Sequence, residues 1–140
     1  LGAGRLAAQP RLSVLQVALS VGFGSGEAFA RAFGISHDDP SITEAALCRY
    51  DACVEVDDHY RPSGTALVTT LPGGRYAEMP FEGTSADIAT AWARLLRDWL
   101  PGSRMQLDGR PCFEHYPGDA GYDAASGVFG CRICIPVAPL

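Results

Sequence analysis

The residue in this sequence best placed to do chemistry is Glu114, in the run Cys112-Phe113-Glu114-His115-Tyr116. An extended strand alternates its side chains, so Glu114 shares a face with Cys112 and Tyr116 and opposes Phe113 and His115. A carboxylate aimed inward beside an aromatic ring is costly to desolvate, and it either takes up a proton or finds a partner. That partner is an arginine, a hydrogen-bond donor or a cationic ligand. Two readings follow: a structural salt bridge to an arginine, or a functional acid that faces a cation. Aromatic faces attract cations through their quadrupoles, each contributing about 0.5 to 2 kcal/mol. Tyr50, Tyr116, Trp92 and Phe81 are the candidates to surround the acid. Each is, taken singly, also an ordinary packing residue. Trp92 and Trp99 stand at helical spacing, as core residues do, and a helix that roofs a pocket has the same signature.

The other reactive side chains offer less. His37 precedes Asp38, Asp39 and Pro40, a run that reads as a loop-facing turn rather than a base. His59 and His115 have no cysteine or carboxylate at a recurring metal spacing. The five cysteines, at 48, 53, 112, 131 and 134, match no disulfide framework of small secreted domains and read as reduced and cytosolic. Cys131-Arg132-Ile133-Cys134 has the form of a metal or redox motif, but in a strand residues three apart point to opposite faces. No metal and no cofactor is expected.

These side chains must be held by one domain, because 140 residues leave no room for a second full one. Hydrophobic residues are 47% and charged residues 19% of the chain, a globular balance. All 11 basic residues are arginine, and 16 acids leave a net charge of −5, which argues against strong salt-driven binding to nucleic acid. No apolar stretch approaches the roughly 20 residues of a membrane span, and the first residues lack a signal-peptide layout. A cytoplasmic protein is expected.

Along the chain, Leu12 to Phe33 reads as two short helices broken at Val21-Gly22-Phe23-Gly24-Ser25, with Ser25 as an N-cap. The apolar Leu15, Leu19, Phe29 and Phe33 need cover from the sheet or from a second subunit, as in a homodimer. Beyond Phe33 the pattern turns to strands. Phe33 to Asp39 lies on Phe113 to Asp119 as an internal repeat, and the strands that follow, Tyr50 to Val56 and Cys131 to Val137, match with one extra residue in the later loop. Gly34 is then the internal equivalent of Glu114, so strand geometry alone does not demand an acid there. Thr65 to Thr70 and Arg75 to Met79 read as strands joined through Leu71-Pro72-Gly73-Gly74 as a hairpin or tight bend. Ser85 to Leu100 is the clearest helix, with Ile88, Ala91, Trp92, Leu95, Leu96 and Trp99 on one stripe, Thr84 or Ser85 as cap and Pro101-Gly102 as stop.

The N-terminal segment resembles the second helix-turn-helix of AraC-family regulators in its Val21-Gly22-Phe23 turn, its Ser25 and its Phe29-Ala30-Arg31-Ala32-Phe33. Gly34 to Val137 resembles GyrI-like domains through His37-Asp38-Asp39-Pro40, Arg49 to Val56, Leu71 to Tyr76, Ala91-Trp92, Asp98 to Pro101 and Pro111 to Tyr116. This resemblance implies an α+β fold of two β-α-β-β repeats about a pseudo-twofold, with an antiparallel sheet and a ligand pocket between the repeats. The first repeat looks incomplete: its first strand and helix have no recognisable counterpart, and short helices precede it instead. The expected organisation is a helical segment, 1–33, resembling half of an AraC-type DNA-binding domain, then a ligand-binding domain, 34–140.

In GyrI-like and related multidrug-sensing regulators, the glutamate of the Phe-Glu-x-Tyr motif faces cationic ligands, which implies that role for Glu114. The implied function is binding of hydrophobic, cationic small molecules as the effector-sensing or sequestering module of a transcription-regulator-like protein. The alternative implied by some relatives is a hydrolase of electrophilic cyclopropane-containing natural products, with Glu114 and Tyr50 or Tyr116 activating water. One helix-turn-helix and a negative charge predict weak DNA binding or none by this chain.

Overall fold

The computed structural model describes residues 4–5, 31–38, 42–55, 58–59, 61, 68–117 and 121–140. Its strands are β1 (Gly4–Arg5), β2 (Arg31–Ser36), β3 (Tyr50–Val54), β4 (Tyr76–Gly83), β5 (Met105–Leu107), β6 (Cys112–Pro117) and β7 (Phe129–Pro139). They form one antiparallel sheet in the order β1-β3-β2-β6-β7-β4, with β5 paired to the end of β7. The α-helix among the described residues, α1 (Ile88–Ala93), continues through a wider π-type turn (Arg94–Trp99) and a 3-10 turn (Leu100–Gly102). The architecture is α+β, as expected.

β7 explains the centre of the sheet. Its residues are apolar almost without a break and buried on both faces, as in a strand covered from both sides. Ile133 and Ile135 are fully buried on the helix side, with Cys131, Ala91 and Leu95. Cys134 lies on the opposite side with Ile35, Cys53 and Phe113, so the two cysteines of the 131–134 run face apart, as alternation requires. Leu95, 5% exposed, locks the helix to the sheet, and its burial is worth about 1.5 to 3 kcal/mol.

Several expectations need correction. The helix expected to end at Phe33 does not include Arg31, Ala32 and Phe33, which lie in β2 between β3 and β6. There the period is two: Ala32 faces the helix-side core and Phe33 packs on the other side. The rest of that pattern, from Leu12 to Ala30, falls outside the described residues. A short strand precedes β2 in the sequence, β1, in which Gly4 pairs with Ala52 and Arg5 with Asp51, although a Gly-Arg pair carries no strand signal. Of the hairpin or tight bend expected through Leu71 to Gly74, the described residues show a bend at Gly74 and no ladder between Val68 to Thr70 and β4, which pairs with β7, while Thr65 to Leu67 fall outside the described residues. Val68 to Thr70 belong to an exposed connection and not to a strand. β4 also runs past Met79 through Pro80 to Gly83, which an outer strand tolerates, its far edge making no ladder among the described residues.

The carboxylate of Asp87 accepts from the backbone N–H and the hydroxyl of Thr84, both at 2.9 Å, and the Thr84 carbonyl accepts from the N–H of Ile88 at 3.2 Å, so Thr84 and the acid of the first turn close the helix start together. Trp99 leaves the buried stripe and is 45% exposed. It closes the π-type turn over 94–99, whose wider winding departs from the 3.6-residue period on which the stripe was drawn.

Candidate functional site

The alternation of β6 places Cys112, Glu114 and Tyr116 on the helix side. Phe113 and His115 point the other way, where both meet the ring of Phe33. Glu114 is buried, with 7% of its surface exposed. Its Oε2 accepts from the hydroxyl of Tyr116 at 2.6 Å and from that of Tyr50 at 3.1 Å, and its Oε1 accepts from the indole N–H of Trp92 at 3.1 Å. Three elements thus converge on one carboxylate: β6 through Tyr116, β3 through Tyr50 and α1 through Trp92.

Local sequence explains how they reach it. Tyr116 stands two residues along the same strand face. Trp92 lies one position after the buried Ala91, which brings its indole over β6. Tyr50 must reach across β2, where its register partner is Ser36 and the partner of Glu114 is Gly34. A glycine in a strand leaves room for another group to approach the backbone closely, and Gly34 with Ser36 leaves the space that the Tyr50 ring crosses.

Burial pushes the Glu114 carboxyl above its ordinary range, and the hydrogen bonds from Tyr116, Trp92 and Tyr50 oppose that rise without cancelling it. Burial and the adjacent Glu114 charge raise both tyrosine hydroxyls, so they remain neutral donors. Among the described residues no arginine pairs with Glu114. The described ion pairs join Arg49 to Asp38, Arg110 to Asp108, Arg132 to Glu78 and His37 to Asp51. The arginine bridge that would make Glu114 a structural acid is therefore absent from the described residues, and neutral donors stand in its place.

Phe81 stands one ring further out. It packs on Phe129 with centroids 5.6 Å apart, and Phe129 in turn lies 6.0 Å from the Tyr116 ring. The structure thus brings Tyr50, Tyr116 and Trp92 onto the acid and leaves Phe81 in the next layer.

A cavity of about 510 Å³ opens beside this cluster, between the helix and the ends of β2 and β6. Its floor includes Ser36 and Cys112, which are register partners, and its wall includes Trp92, Leu96 and Leu100. Glu114 does not line it; Trp92 belongs to both. The cavity and the acid are therefore neighbours separated by an indole, and the chemistry lies behind that wall. Sequence reasoning missed Ser36, Cys112, Leu96 and Leu100 as groove residues, although alternation along β2 and β6 and the four-residue spacing from Trp92 carry the signal. His37, read as a loop-facing turn, lies on the cavity rim with its ring 2.6 Å from Asp51 Oδ2. Next to it Asp38 accepts from the Arg49 guanidinium through both oxygens, which hold its carboxyl down at about 2.

Comparison with known proteins fits this geometry. The GyrI-like small molecule binding domain matches residues 15–138. YosT of Bacillus subtilis strain 168, an SPbeta prophage-derived protein whose name describes a transcriptional regulator, is 32% identical over 83 residues, covering 59% of this chain and 55% of YosT. A DNA gyrase inhibitor of Citrobacter koseri is 27% identical over 106 residues, covering 74% of this chain and 66% of that protein. One from Cronobacter sakazakii is 31% identical over 106 residues, with the same coverage of 74% and 66%. The chain thus spans between about half and two thirds of the length of these relatives. With an antiparallel sheet, a helix packed on it and a family match over residues 15–138, the chain belongs to the GyrI-like small-molecule-binding domain family.

Proposed function

We propose that this domain binds hydrophobic, cationic small molecules, with Glu114 as the acid that faces the cation and Tyr50, Tyr116, Trp92 and Phe81 as its aromatic surround. The observation that carries this reading is a buried carboxylate held by three neutral donors, with no countercharge among the described residues. An acid kept in such a place at a desolvation cost gains most from a partner that brings its own positive charge. The names of the relatives, a regulator and gyrase inhibitors, fit an effector-sensing or sequestering module of a transcription-regulator-like protein. In this reading 34–140 carries the ligand, and 1–33 is the segment resembling half of an AraC-type DNA-binding domain, with β2 running across the boundary. A net charge of −5 favours weak DNA binding or none. No helix among the described residues is long and apolar enough to cross a membrane, which suits a cytoplasmic sensor.

The duplicated β-α-β-β architecture belongs to the same proposal, and strand register supports it. Phe33 pairs with Cys53 and Phe113 with Cys134, Gly34 with Ala52 and Glu114 with Ile133, and Ile35 with Asp51 and His115 with Arg132. Both halves thus keep the register expected from the repeat with its one-residue insertion. β1 flanks β3 as β4 flanks β7.

One feature favours a second reading, hydrolysis of an electrophilic cyclopropane-containing natural product: two tyrosine hydroxyls meet on the same carboxylate oxygen. In that chemistry Glu114 takes a proton from the attacking water and a tyrosine supplies one to the opening ring.

Glu114→Gln tests both readings, because it keeps shape and removes charge. Calorimetric titration with tetraphenylphosphonium should show a loss of about 2 to 5 kcal/mol, and with the neutral triphenylphosphine oxide far less. Under the hydrolase reading, turnover of a cyclopropane-containing substrate collapses while an inert analogue still binds. Unchanged cation affinity and no hydrolysis by either protein would leave Glu114 a structural residue.

A further inference from the structure

The cavity and the acid meet at one side chain. Trp92 lines the groove, and the same indole donates to Oε1 of Glu114 at 3.1 Å. The groove floor lies at Ser36 and Cys112, and Glu114 is one side-chain repeat further along the same face of β6. That repeat is about 7 Å along the strand. A molecule seated over Ser36 and Cys112 is therefore close enough to place a charged end at the carboxylate, provided that the indole does not stand between them. The other oxygen is already occupied, since Tyr116 and Tyr50 both donate to Oε2. Oε1 is the oxygen on the groove side, and its donor is Trp92.

We infer that Trp92 gates the Glu114 site: its indole stands between the groove and Oε1, tied there by its N–H, and must swing aside before a cation lodged in the groove can pair with the carboxylate. The inference rests on the reading of Glu114 as a cation site. Oε1 keeps a second lone pair, so the barrier is the ring in the path and not a filled acceptor. The hydrogen bond the indole surrenders is one to a charged acceptor, the stronger kind. Binding affinity is reduced by whatever fraction of molecules keeps the indole in place, and a change that removes the N–H while keeping a ring lifts that reduction. Trp92 thus acts as a positioning residue that selects ligands able to offer Oε1 more than the indole does. A neutral molecule of the same shape fills the groove without displacing it.

Trp92→Phe keeps an aromatic wall and deletes the donor. Calorimetry with tetraphenylphosphonium on the full chain should give binding about tenfold tighter than wild type, with triphenylphosphine oxide little changed. The wild-type protein gives an independent readout, because a ¹⁵N-labelled sample shows indole N–H signals for its two tryptophans, and Trp99→Phe assigns them. Saturation with tetraphenylphosphonium should shift the Trp92 signal and speed its exchange with water, whereas triphenylphosphine oxide should not. Equal or weaker cation binding by a folded Trp92→Phe, while Glu114→Gln loses the cation, would overturn the gate and leave the cation site standing. A Trp92 indole signal unmoved and still protected at saturation would overturn it as well, and it decides the matter alone if Trp92→Phe does not fold. Equal cation binding by wild type and Glu114→Gln would overturn the cation site and the gate together.

Discussion

The hydroxyl of Tyr116 lies 2.6 Å from Oε2 of Glu114, its neighbour two residues back on the same face of β6. That length belongs to a charge-assisted O–H···O⁻ bond, whereas the 3.1 Å contact from Tyr50 to the same oxygen is longer and weaker. One carboxylate oxygen is thus held by a short bond from its own strand and a looser one from two strands away, with the indole on the other oxygen.

This asymmetry predicts unequal mutational effects. Tyr116→Phe removes the stronger donor from a buried acceptor and should destabilise the fold by about 1.5 to 3 kcal/mol. Tyr50→Phe should cost less, since its bond is longer and its ring stays in place. Urea unfolding of the two variants at neutral pH measures the difference. Equal losses would show that distance is a poor guide to strength in this cluster.

Glu114 also predicts a pH dependence of stability. Burial raises its folded-state pKa above the unfolded value of 4.5, so the folded protein holds the proton more tightly. The native state binds more protons than the unfolded state between the two values, and stability must fall as pH rises from 4.5 through the folded pKa. Asp38 acts in the opposite sense and elsewhere: Arg49 lowers it from 3.8 to about 2, so its contribution is lost only as pH falls through that lower range. The stability of wild type minus that of Glu114→Gln should therefore be level below 4.5, decline above it and level off again. A difference flat across the whole range would mean that Glu114 ionises as it does in water.

Much of the site was legible because it depends on period. Alternation along Cys112 to Tyr116 placed Glu114 and Tyr116 on one face, and the helical stripe placed Trp92 over the sheet. Tyr50 stood among the aromatic candidates by residue type alone; the physical cause of its convergence is the long-range register that sets Gly34 and Ser36 between β3 and β6. No local pattern reports that register. Other misreadings have equally specific causes. Ala32 and Phe33 fit a helix locally but are claimed by strands on both sides, Pro80 ends a strand only where a neighbour needs its N–H, and the π-type turn that ends at Trp99 leaves no mark on the stripe. The groove is a tertiary product of the helical run and of β2, β5 and β6, so its residues looked unrelated one by one.

Gly74 gives the last prediction. The Leu71-Pro72-Gly73-Gly74 stretch reads as a glycine turn, and Gly74 has a φ of +129°, a conformation that side chains disfavour. Space is a second constraint. The Arg110 guanidinium donates to the carbonyls of Gly73 at 3.0 Å and Arg75 at 2.9 Å, binds Asp108, and lies 4.6 Å over the Tyr76 ring. A Cβ at position 74 would collide with its Nη1. Arg110 thereby fastens the connection that leads into β4, the strand that carries Phe81. Gly74→Ala should therefore suffer twice, from backbone strain and from displacing the arginine, with a total cost above about 1 kcal/mol. Arg110→Ala removes the collision but not the strain, so Gly74→Ala should cost less in that background than in wild type, leaving a coupling of about 0.5 kcal/mol or more. A double-mutant cycle by denaturant unfolding measures it. Identical costs in the two backgrounds would assign the glycine to its backbone angle alone and remove Arg110 from the explanation.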